Sequence, residues 1–105
     1  MGQFTVHENP NPSSKKAYPF MIDVQSPMLD GLETRLVIPL ARKADFADKA
    51  IAGLTPLLNV LGDDCLVLTQ QMAAVRVGHL GRAVSVCTEK RQEILAAIDL
   101  LITGF

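Results

Sequence analysis

The chain has 105 residues, of which 49% are apolar and 20% charged, and its formal net charge is −1. This composition predicts a single folded domain over residues 1–105 and excludes a disordered chain. The nearly neutral charge excludes a free-standing nucleic-acid binder, because the phosphate backbone requires clustered Lys and Arg, and no run approaches the roughly 20 apolar residues of a membrane span.

Two strands are predicted near the start of the chain. Residues 3–7 alternate polar and apolar, which indicates an opening strand with Phe4 and Val6 inward, and residues 18–25 resume the alternation. The loop between them, from Glu8 to Lys16, carries two prolines among small polar residues and is expected to be exposed and mobile. If this loop closes a hairpin, the two strands are antiparallel.

An apolar pair, Met28 and Leu29, interrupts the turn-forming residues 27–31. Such a pair either packs under its own loop or forms an exposed contact patch, and the sequence leaves both readings open. Residues 35–40 then predict a third strand. We expect Pro39 to lie at an edge or a bulge of the sheet, because proline has no N–H to donate to a neighbouring strand.

A short helix and a hairpin are predicted in the middle of the chain. Residues 41–52 favour a short helix on propensity alone. Residues 54–60 and 65–69 read as two strands joined by a tight turn at residues 61–64.

The segment before the C-terminal helix holds one more predicted strand. Residues 72–77 form that strand, and Gly78 and Gly81 break the chain after it. About five short antiparallel strands followed by one helix predict a mainly β, α+β fold, in which a small barrel or sandwich packs against the helix.

The last stretch, residues 88–105, predicts one amphipathic helix. Thr88 or Ser85 is suited to cap its start, and Gly104 to end it in a left-handed conformation. Asp99 places a negative charge near the end of the helix, where the helix dipole disfavours it, so it is either a solvated surface residue or part of a working site. The apolar residues at helical spacing exceed what one small barrel is expected to cover, which predicts a homodimer; they are Ile94, Ile98, Leu101, Ile102 and Phe105.

Cysteine and histidine, which often act as catalytic residues or metal ligands, are rare in this chain, with two of each. Cys65 and Cys87 are too few for a disulfide framework, and the first residues form no signal peptide, so we expect reduced thiols in a cytoplasmic protein. His7 and His79 stand apart from each other and from the cysteines. The sequence therefore predicts neither a metal site nor a cofactor.

Four segments of the chain resemble the CcdB toxin family. They are Ile22-Asp23-Val24-Gln25-Ser26, Arg35-Leu36-Val37-Ile38-Pro39-Leu40, Gln71-Met72-Ala73-Ala74-Val75 and the terminal helix that ends in Gly104-Phe105. The most specific part is the Asp-Val-Gln-Ser segment followed, at the spacing of the family, by the Leu-Val-Ile-Pro-Leu strand. The likeness runs from Gln3 to the last residue, apart from the loop after Glu8 and residues 41–53.

This resemblance implies a homodimer of small SH3-like antiparallel barrels, with the C-terminal helices beside the twofold axis and a fold shared with the MazF and Kid ribonuclease toxins. CcdB-like proteins are not enzymes. They bind the A subunit of DNA gyrase and trap the enzyme on cleaved DNA. A partly disordered CcdA-like antitoxin neutralises them, and operator DNA is expected to be bound only through the toxin–antitoxin complex.

The resemblance also implies which residues contact these partners. The gyrase contacts carried over are Met28, Leu29, Asp99, Ile102, Thr103, Gly104 and Phe105. The antitoxin contacts carried over are Glu8, Asn9, Pro10, Asn11 and Pro12.

The chain also departs from the family. Well-known members end in Trp-Gly-Ile, whereas this chain ends in Thr103-Gly104-Phe105, and members tend to carry Asn at the position of Asp99 and Pro at that of Arg76. Gyrase poisoning is therefore expected to be weaker, or aimed at a differently shaped surface.

Two other functions stay open from the sequence. The altered C-terminus favours a protein of this fold that has lost toxicity and only binds an antitoxin or regulates. A ribonuclease toxin is less favoured, and it would need a cation and a general base. Arg35, Arg76 and Arg82 are the candidate cations, and Asp23 and His79 the candidate bases.

Overall fold

Seven short strands and two helices form within residues 2–104, which are the residues that the computed structural model of the chain describes. In chain order these elements are β1 (Thr5–Glu8), β2 (Phe20–Asp23), β3 (Thr34–Arg42), α1 (Lys43–Phe46), β4 (Leu57–Val60), β5 (Asp63–Val67), β6 (Ala73–Arg76), β7 (Ala83–Val86) and α2 (Arg91–Thr103). The fold is mainly antiparallel β with a C-terminal helix, which confirms the predicted class.

The longest strand, β3, organises the sheet. The strand order is β4-β5-β3-β2-β1-β7, and all pairings are antiparallel. On one side β3 pairs with β2, while on the other side its first half pairs with β6 and its second half with β5. Because two partners divide one side of β3, the sheet curls into a half-barrel.

Of the two positions predicted for Pro39, an edge or a bulge, the edge is wrong, because β3 is an interior strand. The carbonyl of Pro39 accepts a hydrogen bond of 3.0 Å from the N–H of Leu68, so its nitrogen also points to the side of β3 where the β5 pairing ends and the β6 pairing begins. No strand needs an N–H donor at that junction, and proline is therefore tolerated there.

The two predicted hairpins are both present. In the first, β1 and β2 pair with Val6 opposite Ile22, as expected for antiparallel strands. In the second, β4 and β5 are joined through Leu61 and Gly62, which both have positive φ, at 53° and 91°. The predicted helix over residues 41–52 shortens to α1 and one 3-10 turn, because Ala41 and Arg42 extend β3.

Strand β7 was not predicted from the sequence. It follows Gly81, whose N–H donates to the carbonyl of Glu8 over 3.0 Å. A Cβ atom at Gly81 would lie 2.4 Å from that carbonyl oxygen, so only glycine allows the close approach. Gly81 therefore brings β7 beside β1, which the prediction of a simple chain break missed.

Helix α2 begins later than predicted and has no side-chain cap. Thr88 lies in a 3-10 turn and Ser85 in β7, so neither caps the helix, which begins at Arg91 after Lys90. The predicted stop is confirmed, because Gly104 has φ of 79° and its N–H donates to the carbonyl of Leu100 over 3.0 Å. Within residues 2–104, no helix has the length and apolar character needed to cross a bilayer.

The core lies between the curled sheet and the first half of α2. Ile94 and Ala97 are the buried residues of the helix, and Ile98 packs against the core from its edge. Phe4, Val24 and Cys87 join this cluster from connections next to strands, and the strands contribute its other buried residues, which are Val6, Ile22, Ile38, Leu40, Leu58, Val60, Cys65 and Val67.

Candidate functional site

The Met28–Leu29 pair forms an exposed patch on the connection between β2 and β3. Residues Pro27–Leu29 make a 3-10 turn, and the hydroxyl of Ser26 accepts a hydrogen bond from the N–H of Met28 over 3.2 Å. Met28 is 92% exposed and Leu29 is 50% exposed. Of the two readings left open by the sequence, the exposed patch is the one observed.

Gln25 connects this turn to the sheet beneath it. Its side-chain amide donates to the carbonyl of Leu29 over 2.9 Å, and its side-chain oxygen accepts from the N–H of Leu36 over 2.9 Å. The N–H of Gln25 itself donates to a carboxylate oxygen of Asp23 over 2.9 Å. Because the Gln25 side chain is buried, competition from water for these hydrogen bonds is reduced, and they tie the turn to the sheet.

Arg35 lies buried between two carboxylates. Its Nε donates to Oδ2 of Asp23 over 2.8 Å, and its Nη1 donates to Oδ1 of Asp30 over 2.7 Å. Its Nη2 lies 2.8 Å from the same Asp23 oxygen, as an ion-pair contact whose N–H direction is too poor for a hydrogen bond. The hydrogen bond to Asp23 raises the pKa of Arg35, and its charge is therefore permanent.

The end of α2 forms the second exposed cluster of predicted contacts. Ile102 is 69% exposed, and Asp99, Thr103 and Gly104 are exposed beside it. The hydroxyl of Thr103 donates to the backbone carbonyl of Asp99, one helical turn earlier, over 2.7 Å. Phe105, the remaining predicted contact, lies outside the described residues.

The structure brings the predicted gyrase contacts together as two groups and not as one. Met28 and Leu29 form the first group, and the exposed residues of α2 form the second. Over residues 2–104, no hydrogen bond or ion pair joins the Pro27–Leu29 turn to α2.

The predicted antitoxin contacts border a cavity of about 520 Å³. Residues 9–12 form one wall of this cavity, and Tyr18, Met21, Val75 and His79 lie on the others. These four residues belong to separate elements of the chain, so no local sequence pattern indicated that they would meet.

The loop that carries these contacts is exposed, as predicted, and is shaped by its own side chains. The amide of Asn9 donates to the carbonyl of Tyr18 over 2.8 Å and to the hydroxyl of Ser14 over 3.1 Å. The side-chain oxygen of Asn11 accepts from the N–H of Ser13 over 3.0 Å. These local bonds are typical of turns built on asparagine, and they give the cavity a defined wall.

Glu8 faces a different groove from the other predicted antitoxin contacts. It pairs with Arg82, with 2.9 Å between Oε1 and Nε. This groove measures about 640 Å³ and is also bordered by Lys15, Lys16 and Arg42. Since Asn9 and Pro12 border both the groove and the cavity, the loop lies between the two.

The residues proposed for ribonuclease chemistry are divided by the structure. Asp23 and Arg35 are both fully buried and bind each other, so neither reaches a phosphate group in solvent. Arg76, His79 and Arg82 are exposed, and Arg82 is already paired with Glu8. The only candidates left for the general base and the cation of a ribonuclease are therefore surface residues, namely His79 for the base and Arg76 and Arg82 for the cation.

Both cysteines of the chain are free and buried. Burial raises the pKa of the Cys65 thiol to about 11, and Asp63 adds to the shift. Burial likewise raises the pKa of Cys87. Both cysteines are therefore protonated and unreactive at neutral pH. Across the described part of the chain, no three His, Cys, Asp or Glu side chains are grouped so that they could hold a metal ion.

Comparison with protein families gives one match that spans almost the whole chain. The family model described as CcdB protein matches residues 3–104. The matched range includes the Met28–Leu29 turn, the loop beside the cavity and helix α2. The chain therefore belongs to the CcdB family.

Proposed function

We propose that this protein is the toxin of a type II toxin–antitoxin pair, which binds the A subunit of DNA gyrase and traps the enzyme on cleaved DNA. Its membership of the CcdB family supports a toxin of this kind. The observation that carries the proposal is Met28, which is 92% exposed on a turn held by buried polar groups. Burying such a side chain on a partner contributes about 1.5–3 kcal/mol.

The end of α2 is the second part of the proposed gyrase surface. Ile102 supplies an apolar contact there, and Asp99 supplies a negative charge on the same exposed end. A carboxylate at a protein interface favours an Arg or Lys on the partner, because charge-assisted hydrogen bonds are the stronger ones. Thr103, Gly104 and Phe105 complete the proposed surface.

The proposed activity requires no catalytic residue in this chain. Gyrase cleaves and reseals DNA itself, so a protein that binds the cleaved state more tightly than the resealed state shifts the population towards cleaved DNA. The toxin then acts as a poison and not as an enzyme. It acts in the cytoplasm, where gyrase and its DNA are present.

The proposed active form is a homodimer. Leu101 of α2 is a large apolar side chain, and it is 40% exposed in the single chain. Ala73 and Ala74 of β6 are exposed as well. A second copy of the chain would remove this apolar surface from water.

The proposed antitoxin is a CcdA-like protein with a flexible segment. The cavity beside residues 9–12 is open to an extended peptide, and disordered chains are suited to wrap such surfaces. Operator DNA would be bound by the toxin–antitoxin complex, since the toxin alone carries a formal net charge of −1.

A protein of this family that has lost toxicity is the second candidate. The C-terminus favours it, because Thr103 replaces the large aromatic residue that well-known members carry before their last glycine. Such a protein would still bind an antitoxin through the loop of residues 8–12. The ribonuclease alternative has less support, because Asp23 and Arg35 are buried.

One experiment separates these three candidates. The purified protein is incubated with gyrase, supercoiled plasmid and ATP, the reaction is stopped with detergent and protease, and linear DNA is measured. The same preparation is incubated with RNA. We expect linear plasmid and intact RNA; RNA cleavage would favour the ribonuclease, and neither product would favour the protein without toxicity.

A further inference from the structure

We infer that Asp30 is a positioning residue, which acts through Arg35 and together with Gln25 to hold the Met28–Leu29 turn in the conformation that contacts its partner. This inference rests on the proposed function, because it gives a purpose to the surface that we assign to gyrase binding. It concerns residues that do not themselves present the apolar contact.

The turn has no packing of its own to define its shape. None of its three residues, Pro27–Leu29, is buried. An exposed turn of this kind would ordinarily sample several conformations, because few apolar contacts oppose its opening. Its conformation therefore depends on the hydrogen bonds that reach it from the sheet.

Those hydrogen bonds hold the turn where it leads into β3. Gln25 binds the carbonyl of Leu29, the last residue of the turn, over 2.9 Å. Asp30 follows directly, and its carboxylate binds Arg35 of β3 over 2.7 Å. The two adjacent residues are thus fastened to groups that the sheet fixes, and the turn is closed between Ser26 and Asp30.

The charges of Asp23, Arg35 and Asp30 indicate that Asp30 does more than neutralise Arg35. The single positive charge of Arg35 is already matched by Asp23, and both of these side chains are completely buried. Asp30 supplies a second negative charge, and its side chain is 46% exposed, so water would solvate it without Arg35. Without Asp30 the charge of Arg35 stays matched by Asp23, and water at this partly exposed end can accept the hydrogen bond of Nη1, so the turn needs Asp30 more than the fold does.

A turn that is held in advance binds its partner more tightly. Ordering a loop during association opposes binding, and fixing the loop beforehand removes that cost. Removing the Asp30 carboxylate should therefore weaken partner binding while the body of the fold is kept. The buried Asp23–Arg35 pair stays intact in such a variant.

The test compares Asp30→Ala and Asp30→Asn with the control variant Asp48→Asn, in which an exposed acid of the Ala47–Lys49 turn is changed. Amide hydrogen exchange is measured in the free proteins. We expect exchange at Leu29, Asp30 and Leu32, whose N–H groups bond within the turn, to rise at least about tenfold in Asp30→Ala. The increase should be smaller in Asp30→Asn, which keeps an acceptor oxygen, and absent in the control.

A purely stabilising role of Asp30 would raise exchange throughout β3 and lower the melting temperature by many degrees. We expect instead that the amides of β3 are unchanged. If exchange in the turn does not rise in Asp30→Ala, or rises equally in β3, the inference is overturned.

Binding to the gyrase A subunit is measured on the same proteins. We expect the dissociation constant of Asp30→Ala to increase at least about tenfold, mainly through faster dissociation. Unchanged affinity together with a loosened turn would overturn the positioning role. A wild-type protein that shows no affinity for gyrase A would contradict the proposed function instead, and the exchange result would still decide whether Asp30 holds the turn.

Discussion

At the scale of single residues, Met28 separates binding from folding most clearly. Its side chain is 92% exposed, so it contributes little to the stability of the single chain. We predict that Met28→Ala leaves the melting temperature within about 2 °C of wild type, while affinity for gyrase A falls at least about tenfold, as for a central contact of an interface.

The matched control for Met28 is Leu61→Ala. Leu61 is 68% exposed and lies in the turn between β4 and β5, outside the proposed gyrase surface. Titration calorimetry with the purified gyrase A subunit compares the two variants. Equal losses of affinity in both, or none in Met28→Ala, would remove Met28 from the proposed surface.

Cys65 gives a prediction on pH. Its folded pKa is raised to about 11, whereas an exposed thiol ionises near pH 8.5. Between these values the unfolded chain binds fewer protons than the folded chain, so the free energy of unfolding falls as the pH rises. The stabilisation is complete below about pH 8.5 and is lost towards pH 11.

Urea denaturation of wild type and Cys65→Ala between pH 7 and pH 11 checks this prediction. Wild type should be the more stable protein at pH 7, because alanine leaves a cavity in the core. The difference between the two should narrow as the pH rises. Parallel pH profiles would show that the thiol stays as accessible to ionisation as in the unfolded chain.

At the scale of elements, local sequence patterns predicted most strands and failed where distant contacts decide. The alternation of polar and apolar residues correctly predicted β1 and β2, and the glycine at position 104 correctly predicted the left-handed end of α2. The position of Pro39 depends on two strands that share one side of β3, and β7 depends on the close approach at Gly81. No local pattern encodes either arrangement.

The candidate site shows the same division. The sequence identified Met28 and Leu29 as unusual, but periodicity does not tell whether a loop folds back on itself. The conformation that exposes them depends on hydrogen bonds made by Gln25, in the connection after β2, and by Arg35, in β3. The cavity beside residues 9–12 was likewise unpredictable, because its walls come from distant parts of the chain.

The loop of residues 9–12 gives a prediction for the antitoxin. Pro12 is exposed, and it borders both the cavity and the groove that contains Lys15, Lys16 and Arg42. We predict that Pro12→Glu weakens binding of the antitoxin at least about tenfold, because the new side chain and charge obstruct both sides of the loop. The melting temperature should stay close to that of wild type.

Ala52→Glu is the control for that variant, since Ala52 is also exposed in a loop but borders neither the cavity nor the groove. Affinities are measured by surface binding of the cognate antitoxin segment. If Pro12→Glu binds as tightly as Ala52→Glu, the antitoxin lies elsewhere on the toxin.

At the scale of the whole molecule, we predict that the protein is a homodimer. Light scattering after gel filtration at micromolar concentration should give a mass of twice 11.4 kDa. Leu101→Glu should shift the mass towards the monomer, because it places a charge on the uncovered apolar side of α2. Leu61→Glu should leave the dimer intact, and a monomeric wild type would contradict the prediction.

The gyrase contacts proposed at the end of α2, which are Asp99 and residues 102–105, are expected to bind the target without stabilising the fold. The last buried residue of the helix is Ala97, and residues 101–104 are exposed. The most direct test removes residues 103–105 and measures both the melting temperature and gyrase-dependent plasmid cleavage. We predict that the melting temperature and the dimer are unchanged, while trapped, cleaved plasmid is lost. A melting temperature lower by many degrees with dissociation of the dimer, or undiminished trapping, would contradict it.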